Sequence, residues 1–356
     1  MQSAIDFSPD WVSPPGDTIA DILSARNVSE AHFAGQIDRS LEDTRDLLKG
    51  RIAITIDLAR RLESVIGASV EFWMSRDYQY RSGIAKQSMI DHAWLSELPV
   101  GDMIKFGWLS PKPDASEEME ACLRFFDVLS VSEWRQRYQR VEQNIAFRTS
   151  RSFESRPASV AAWLREGDRQ ATSIECAPWH AEGFRESLVE IRSLTRQKDP
   201  DQFLPALRDI CASHGVAVVI VRPPNGCRAS GATRFLSKEK AVLQLSFRHL
   251  SDDHFWFSFF HEAGHLILHG SLDLIIEGTT VDSKAEEEAD QFAQGILIPE
   301  EFQSEFRRLR PTTKEVIRFA HHIDIAPGIV VGQLQFSGRI GHDRLNGLKR
   351  RFVWKE

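Results

Sequence analysis

The segment 252–270, DDHFWFSFFHEAGHLILHG, constrains this chain more than any other. Its aromatic and aliphatic residues have the length and periodicity of a buried helix, so it belongs inside a protein. It also carries His261, Glu262 and His265, whose polar atoms must find partners there. Asp252 and Asp253 mark its start and Gly270 its end. Residues four apart share one helical face, so His261 and His265 can hold one metal, and Glu262 beside them can take a proton from water at that metal. Phe255, Trp256, Phe257, Phe259, Phe260, Leu266, Ile267 and Leu268 supply the apolar shell that such a helix needs.

A hydrolytic zinc site takes three protein ligands and leaves a fourth place to water. His269 continues the series, but three histidines at this spacing drift about 80° around the helix. It is therefore read as a support for a ligand or as a helix C-terminal residue. The acidic segment 283–299, SKAEEEADQFAQGILIP, offers a better third ligand. Glu286 and Asp290 lie one turn apart, opposite Phe292, Ala293 and Ile296. Glu286 suits the metal, with Glu287 and Glu288 as alternatives, and Asp290 suits the outer N–H of a ligand histidine. The plainer reading of these acids is a solvated first turn that complements the helix dipole.

An oxyanion stabiliser is harder to name, because Tyr78, Tyr80 and Tyr138 all precede this region. His249, Arg234, His321 and His322 are the candidates. The glycine-bearing run 226–236, GCRASGATRFL, is expected along the cleft edge, where it would pair with an extended substrate. Cys227 within it fits a buried bystander better than a thiolate that blocks the metal.

The chain has 356 residues, room for two or three domains. Helical spacing is expected over Thr18–Arg26, in two segments capped by Ser29 and Ser40, over Thr55–Ile66, and from Ser69 to about Arg76. The two capped segments are short and joined by a tight turn, the pattern of a helix-turn-helix in a five-helix domain. Further helices are expected over Glu117–Val128 and Ser132–Asn144, and the basic stretch 147–169 reads as a solvated helical face. Helices at Ala181–Thr195 and Pro200–His214 then lead into strands at 215–222, 228–236 and 241–247, spaced for a small antiparallel sheet. The expected fold class is multidomain α+β, with an all-α domain at 1–95, a helical connecting region at 96–175 and a metal-site domain at 176–356.

Two stretches resemble known families. Residues 14 to about 80, PPGDTIADIL and then SEAHFAGQIDRSLEDTRDLLKGRIAITIDLARRLESVIGASVEFW, resemble the Cro/CI-type helix-turn-helix domain of HigA-like antitoxins. The resemblance implies a recognition helix at Leu41–Lys49, with Arg39, Glu42, Asp43, Arg45 and Lys49 as candidate contacts to double-stranded DNA or to a partner. Residues 1–100 hold 10 Lys and Arg against 15 Asp and Glu, a net −5 of the chain's −7. Phosphate contacts normally carry DNA affinity, so DNA reading and protein gripping both stay open.

HEAGHLILH together with EEEADQFAQGILIP resembles the ImmA/IrrE-type zinc metallopeptidases, over about 180–340. That resemblance implies a minimal, gluzincin-like zincin with Zn²⁺ on His261, His265 and Glu286 and with Glu262 as base. Asp290 stands where the family commonly has Asn. The implied function is a regulatory zinc endopeptidase that cleaves a repressor- or antitoxin-like protein, encoded nearby, in a stress, mobile-element or phage-defence system. A regulator or antitoxin whose metal domain senses a ligand, and a proteolytic toxin of a toxin–antitoxin-like system, are the other readings. Homodimerisation is compatible with all three. Four scattered cysteines without a CxxC pair, and no apolar run of about 18 residues, lead to the expectation of a cytoplasmic protein without a membrane partner.

Overall fold

The computed structural model describes residues 13–112, 114–146, 155–270, 274–276 and 283–354. The chain forms two compact units, Met1–Trp94 and Leu95–Glu356.

The first unit is helical: α1 (Pro15–Ala25), α2 (Glu30–Gln36), α3 (Leu41–Leu48), α4 (Ile56–Ile66) and the start of α5 (Val70–Glu97). Ser29, Ser40 and Thr55 each accept a backbone N–H three residues on, which satisfies donors that the first helical turn would otherwise leave bare. Ile19, Leu23, Phe33, Ile37, Leu47, Leu58, Leu62 and Trp73 fill the space between the helices. The Trp73 indole donates to the carbonyl of Gly67, 2.9 Å away, and so ties α5 to the end of α4. α5 runs far beyond Arg76, where its apolar stripe ends. No proline interrupts it before Pro99, and Arg81–Asp77 and Gln87–Asp91 pairs at i, i+4 support its polar length.

The second unit continues with α6 (Val100–Lys105), α7 (Ala115–Phe126), α8 (Val131–Ala146), α9 (Pro157–Thr172), α10 (Ala181–Leu194) and α11 (Pro200–Ala212). After β1 (Val216–Ile220), β2 (Gly231–Ser237) and β3 (Lys240–Leu245) come α12 (Asp252–Leu268), β4 (Leu274–Ile276), α13 (Ser283–Leu297), α14 (Glu300–Arg308), α15 (Thr313–His322) and α16 (Pro327–Phe336). The sheet order is β1-β3-β2-β4.

This sheet is mixed, which differs from the antiparallel expectation. β2 pairs antiparallel with β3 and β4, whereas β1 runs parallel to β3, Val218 opposite Leu243. The segment between β1 and β2 is no hairpin. Its Pro223-Pro224-Asn225-Gly226 stretch is pinned to α9 by Arg156 N–H to the Gly226 carbonyl (2.7 Å) and by Ser159 Oγ to the Asn225 carbonyl (2.7 Å). The detour carries β2 past β3, so β1 gains β3 as its neighbour.

Both faces of the sheet are covered, which accounts for the unbroken apolar run in β1. Val216, Val218, Ala241, Leu243 and Leu245 join the core built around α10–α13. On the opposite face lies α9, whose residues Ala158 to Leu164 are all buried. The basic stretch 147–169 is thus not a solvated face where it is described; residues 147–154 of it lie outside the described residues.

Alternation along β2 places Arg234 on the α9 face. Its Nε donates to Asp168 Oδ1 (2.7 Å), and its Nη2 to the Leu164 carbonyl and Gln244 Oε1 (2.9 Å each). Arg234 is the buried hub that fastens α9 to the sheet. We predict that Arg234→Ala, which leaves Asp168 and Gln244 without this partner, lowers stability by about 3 kcal/mol in chemical denaturation while metal affinity is unchanged. A metal-binding defect with native stability would contradict this placement.

Candidate metal centre

α12 is sided by its sequence. Phe259, Phe260, Ala263 and Leu266 enter the core, and His261, Gly264 and His265 turn toward α13. A Cβ on Gly264 would stand 3.0 Å from the Phe292 ring, so glycine is what lets the two helices approach closely here. Across that approach Nε2 of His261 and Nε2 of His265 are 3.0 Å apart, and each is 3.6 Å from a carboxylate oxygen of Glu286.

The outer nitrogens decide what the inner ones can do. His261 Nδ1 is 2.8 Å from Asp290 Oδ1, and the acceptor-only carboxylate requires the proton to sit on Nδ1. His265 Nδ1 meets His269 Nδ1 at 3.1 Å, and His269 Nε2 meets Glu288 Oε2 at 2.9 Å. One assignment satisfies the whole chain: His269 donates through Nε2 to Glu288 and accepts through Nδ1 from His265. Both inner Nε2 atoms then carry lone pairs. Burial, followed by the neighbouring His261, lowers His265 to about 4, so its ring is neutral at pH 7.

Two lone pairs and a carboxylate that converge in a buried place repel one another unless a cation lies between them. The donor set, two imidazoles and one carboxylate, suits zinc-type coordination. His261, His265 and Glu286 form the group whose ligand atoms lie within 4.8 Å of one another among the described residues. Glu287 is exposed and Glu288 is occupied with His269, so neither takes the place of Glu286.

Glu262 is fully buried on the β2 side of α12. A Cβ added to Gly231 would lie 2.4 Å from Glu262 Oε1, so the first residue of β2 is a wall against which this carboxylate rests. The expectation that 226–236 forms a free cleft edge does not hold at Ala232–Arg234, because β4 occupies that edge. The function of glycine here is to make room for Glu262.

The four oxyanion candidates part company. Arg234 is committed to α9 on the far face of the sheet. His321 and His322 end α15 exposed, His322 beside Glu305 and the Phe302 ring. His249 precedes α12, stacked on His254, and burial lowers it to about 4, which keeps it neutral. It lines a cavity of about 290 Å³ with Ser230, Phe257, Ser258 and Phe336. Phe257 and Ser258 are one turn ahead of His261 and Glu262, so this cavity adjoins the metal centre. Cys227 is buried, and burial pushes its thiol up to about 12, which leaves it inert.

The elements that carry this geometry lie in a stretch that is similar to a known family. Residues 213–330 match the Peptidase_M78 family, the IrrE N-terminal-like domain. The matched stretch contains α12, α13 and the sheet. In the N-terminal region the chain is 36% identical over 61 residues to an HTH-type transcriptional regulator, YddM, of Escherichia coli. That match covers 17% of this chain and 65% of the relative, so the chain spans less than two thirds of it. The two similarities fall in the order implied by the sequence motifs, helix-turn-helix first and ImmA/IrrE-like second. Among the described residues no helix is long and apolar enough to cross a membrane.

In a chelator-competition titration, Asp290→Ala and His269→Phe should each weaken metal binding by about 10- to 100-fold, through loss of the groups that orient the ligand rings. Glu262→Gln should leave the affinity unchanged. Equal loss in all three variants would contradict the assigned roles.

Proposed function

We propose that this protein is a zinc-dependent endopeptidase of regulatory type, directed by its N-terminal domain to a repressor- or antitoxin-like substrate. The observation that carries the reading is the buried Glu262 carboxylate beside the convergent His261, His265 and Glu286. The IrrE-like match over the same elements supports it. In functional terms the chain reads as a targeting domain to about residue 95, a helical region 96–175 and a peptidase domain from 176, with α9 lent to the sheet as its outer cover.

When bound, zinc supplies a Lewis acid that polarises a peptide carbonyl and acidifies water. Glu262, set by Gly231, takes the proton of the attacking water and returns it to the leaving amine. Asp290 and the His269–Glu288 pair hold the ligand rings in the required tautomers. Neutral His249 can donate a hydrogen bond from the adjoining cavity, which has room for a substrate side chain.

The helix-turn-helix unit presents Arg39, Glu42, Arg45 and Lys49 exposed and Asp43 half-buried. Arg45 pairs with Glu30 at 3.1 Å, a solvent-exposed bridge worth less than about 1 kcal/mol and easily exchanged for a phosphate or a base edge. A fused targeting domain raises the effective concentration of the protease at its substrate.

Two measurements test this reading. Zinc-loaded protein incubated with the product of an adjacent gene should yield discrete fragments, and both Glu262→Gln and Gly231→Ala should abolish them while retaining metal. Cleavage by Glu262→Gln at the wild-type rate would overturn the mechanism. Separately, binding to duplex promoter DNA should weaken with salt, and Lys49→Ala should reduce the slope by about one unit. Binding indifferent to salt and to Arg45→Ala would assign the domain to a protein partner instead.

A further inference from the structure

A second cavity, of about 600 Å³, opens in the same unit away from the metal ligands, between the start of α11, the end of β1 and the C-terminal segment. Its size falls within the range of small-molecule sites. Leu204, Ile220, Phe247, Leu250, Phe352 and Trp354 give it an apolar lining, with the rings of Phe247 and Trp354 edge to face at 6.1 Å.

Its charged groups are unequal in their commitments. Asp199 and Asp201 line the cavity, but Asp199 Oδ1 caps α11 by accepting from Asp201 N–H at 3.0 Å, and Asp201 has partners of its own. Arg351 reaches the His249 carbonyl at 3.3 Å. Arg208 makes no hydrogen bond or ion pair among the described residues, and its Nε is buried without an acceptor. A guanidinium is always charged and carries five donors; only Nε is shut off from solvent here, and the terminal nitrogens keep their donors open to an acceptor in the cavity. With Arg351 and Lys198 the lining carries three positive charges against two negative ones.

The loop that shapes the cavity is strained. Phe247 and Leu250 both stand in the left-handed region, at φ of 53° and 50°, where bulky residues are rare. Such conformations persist where the surroundings hold them, often at ligand clamps. The same loop joins β3 to α12, so the cavity lies one connection from the helix that bears the metal ligands.

We propose that this cavity is a binding site for a small amphipathic carboxylate, its apolar body against Phe247, Phe352 and Trp354 and its carboxylate on Arg208. The lining accounts for the body, and the unpaired guanidinium accounts for the head. The site does not depend on the peptidase reading.

Isothermal titration of the full-length protein with decanoate and with decanol tests it. Decanoate should bind with one-to-one stoichiometry and at least tenfold more tightly than decanol. Arg208→Gln should erase that preference while leaving the thermal midpoint and metal content unchanged, and Arg208→Lys should restore part of it. Trp354→Ala should weaken both probes. Equal affinity for acid and alcohol, an Arg208→Gln variant that binds decanoate as tightly as wild type, or no binding of decanoate at all would each overturn the proposal.

Discussion

The peptidase-like unit depends on one electrostatic arrangement: two imidazole lone pairs and a carboxylate brought together where water is largely excluded. Acceptors so placed repel one another, so the fold must hold them together in the arrangement that suits a cation. The aromatic and aliphatic faces of α12 supply that hold, through Phe255, Trp256, Phe259 and Phe260 in the core, each buried ring worth roughly 1.5–3 kcal/mol relative to exposure. α13 closes the arrangement from the other side, seated against Gly264 by Phe292. Its acids are then shared out by helical geometry: Glu286 inward, Asp290 behind His261, and Glu288 behind His269.

The sheet serves the same end from below. β2 is the strand that matters, because its two faces do different work. Gly231 sets the position of Glu262 on the α12 face, and Arg234 locks α9 to the other. The helical region that the sequence places between two domains therefore contributes the outer layer of the metal-site unit, and the Trp163 indole bonded to the Val221 carbonyl at 2.9 Å anchors it.

Much of this was legible beforehand, and for physical reasons. HExxH on an apolar helix allows few readings, and that motif with helical spacing pointed to His261, His265 and Asp290 and to Glu286 ahead of Glu287 and Glu288; His261, His265 and Glu286 converge among the described residues. The caps Ser29 and Ser40 were equally readable, because short polar side chains before apolar repeats have a local use. What escaped was whatever depends on distant pairing. The parallel β1–β3 contact follows from a detour pinned by α9, which leaves no periodic trace. Arg234 looked available for chemistry because neither Asp168 nor Gln244 is near it in sequence, and burial of the 157–172 stretch was hidden by its arginines. Gly231 could have been found by asking why a glycine should open a strand at all.

In the proposed function His261, His265 and Glu286 would hold a single zinc ion with a place left for water. X-ray absorption at the zinc edge tests it most directly. Nitrogen and oxygen neighbours only are expected, at about 2.0–2.1 Å, with outer scattering from two imidazole rings that falls to one in His265→Ala. A sulfur neighbour near 2.3 Å, or imidazole scattering unchanged in that variant, would contradict it.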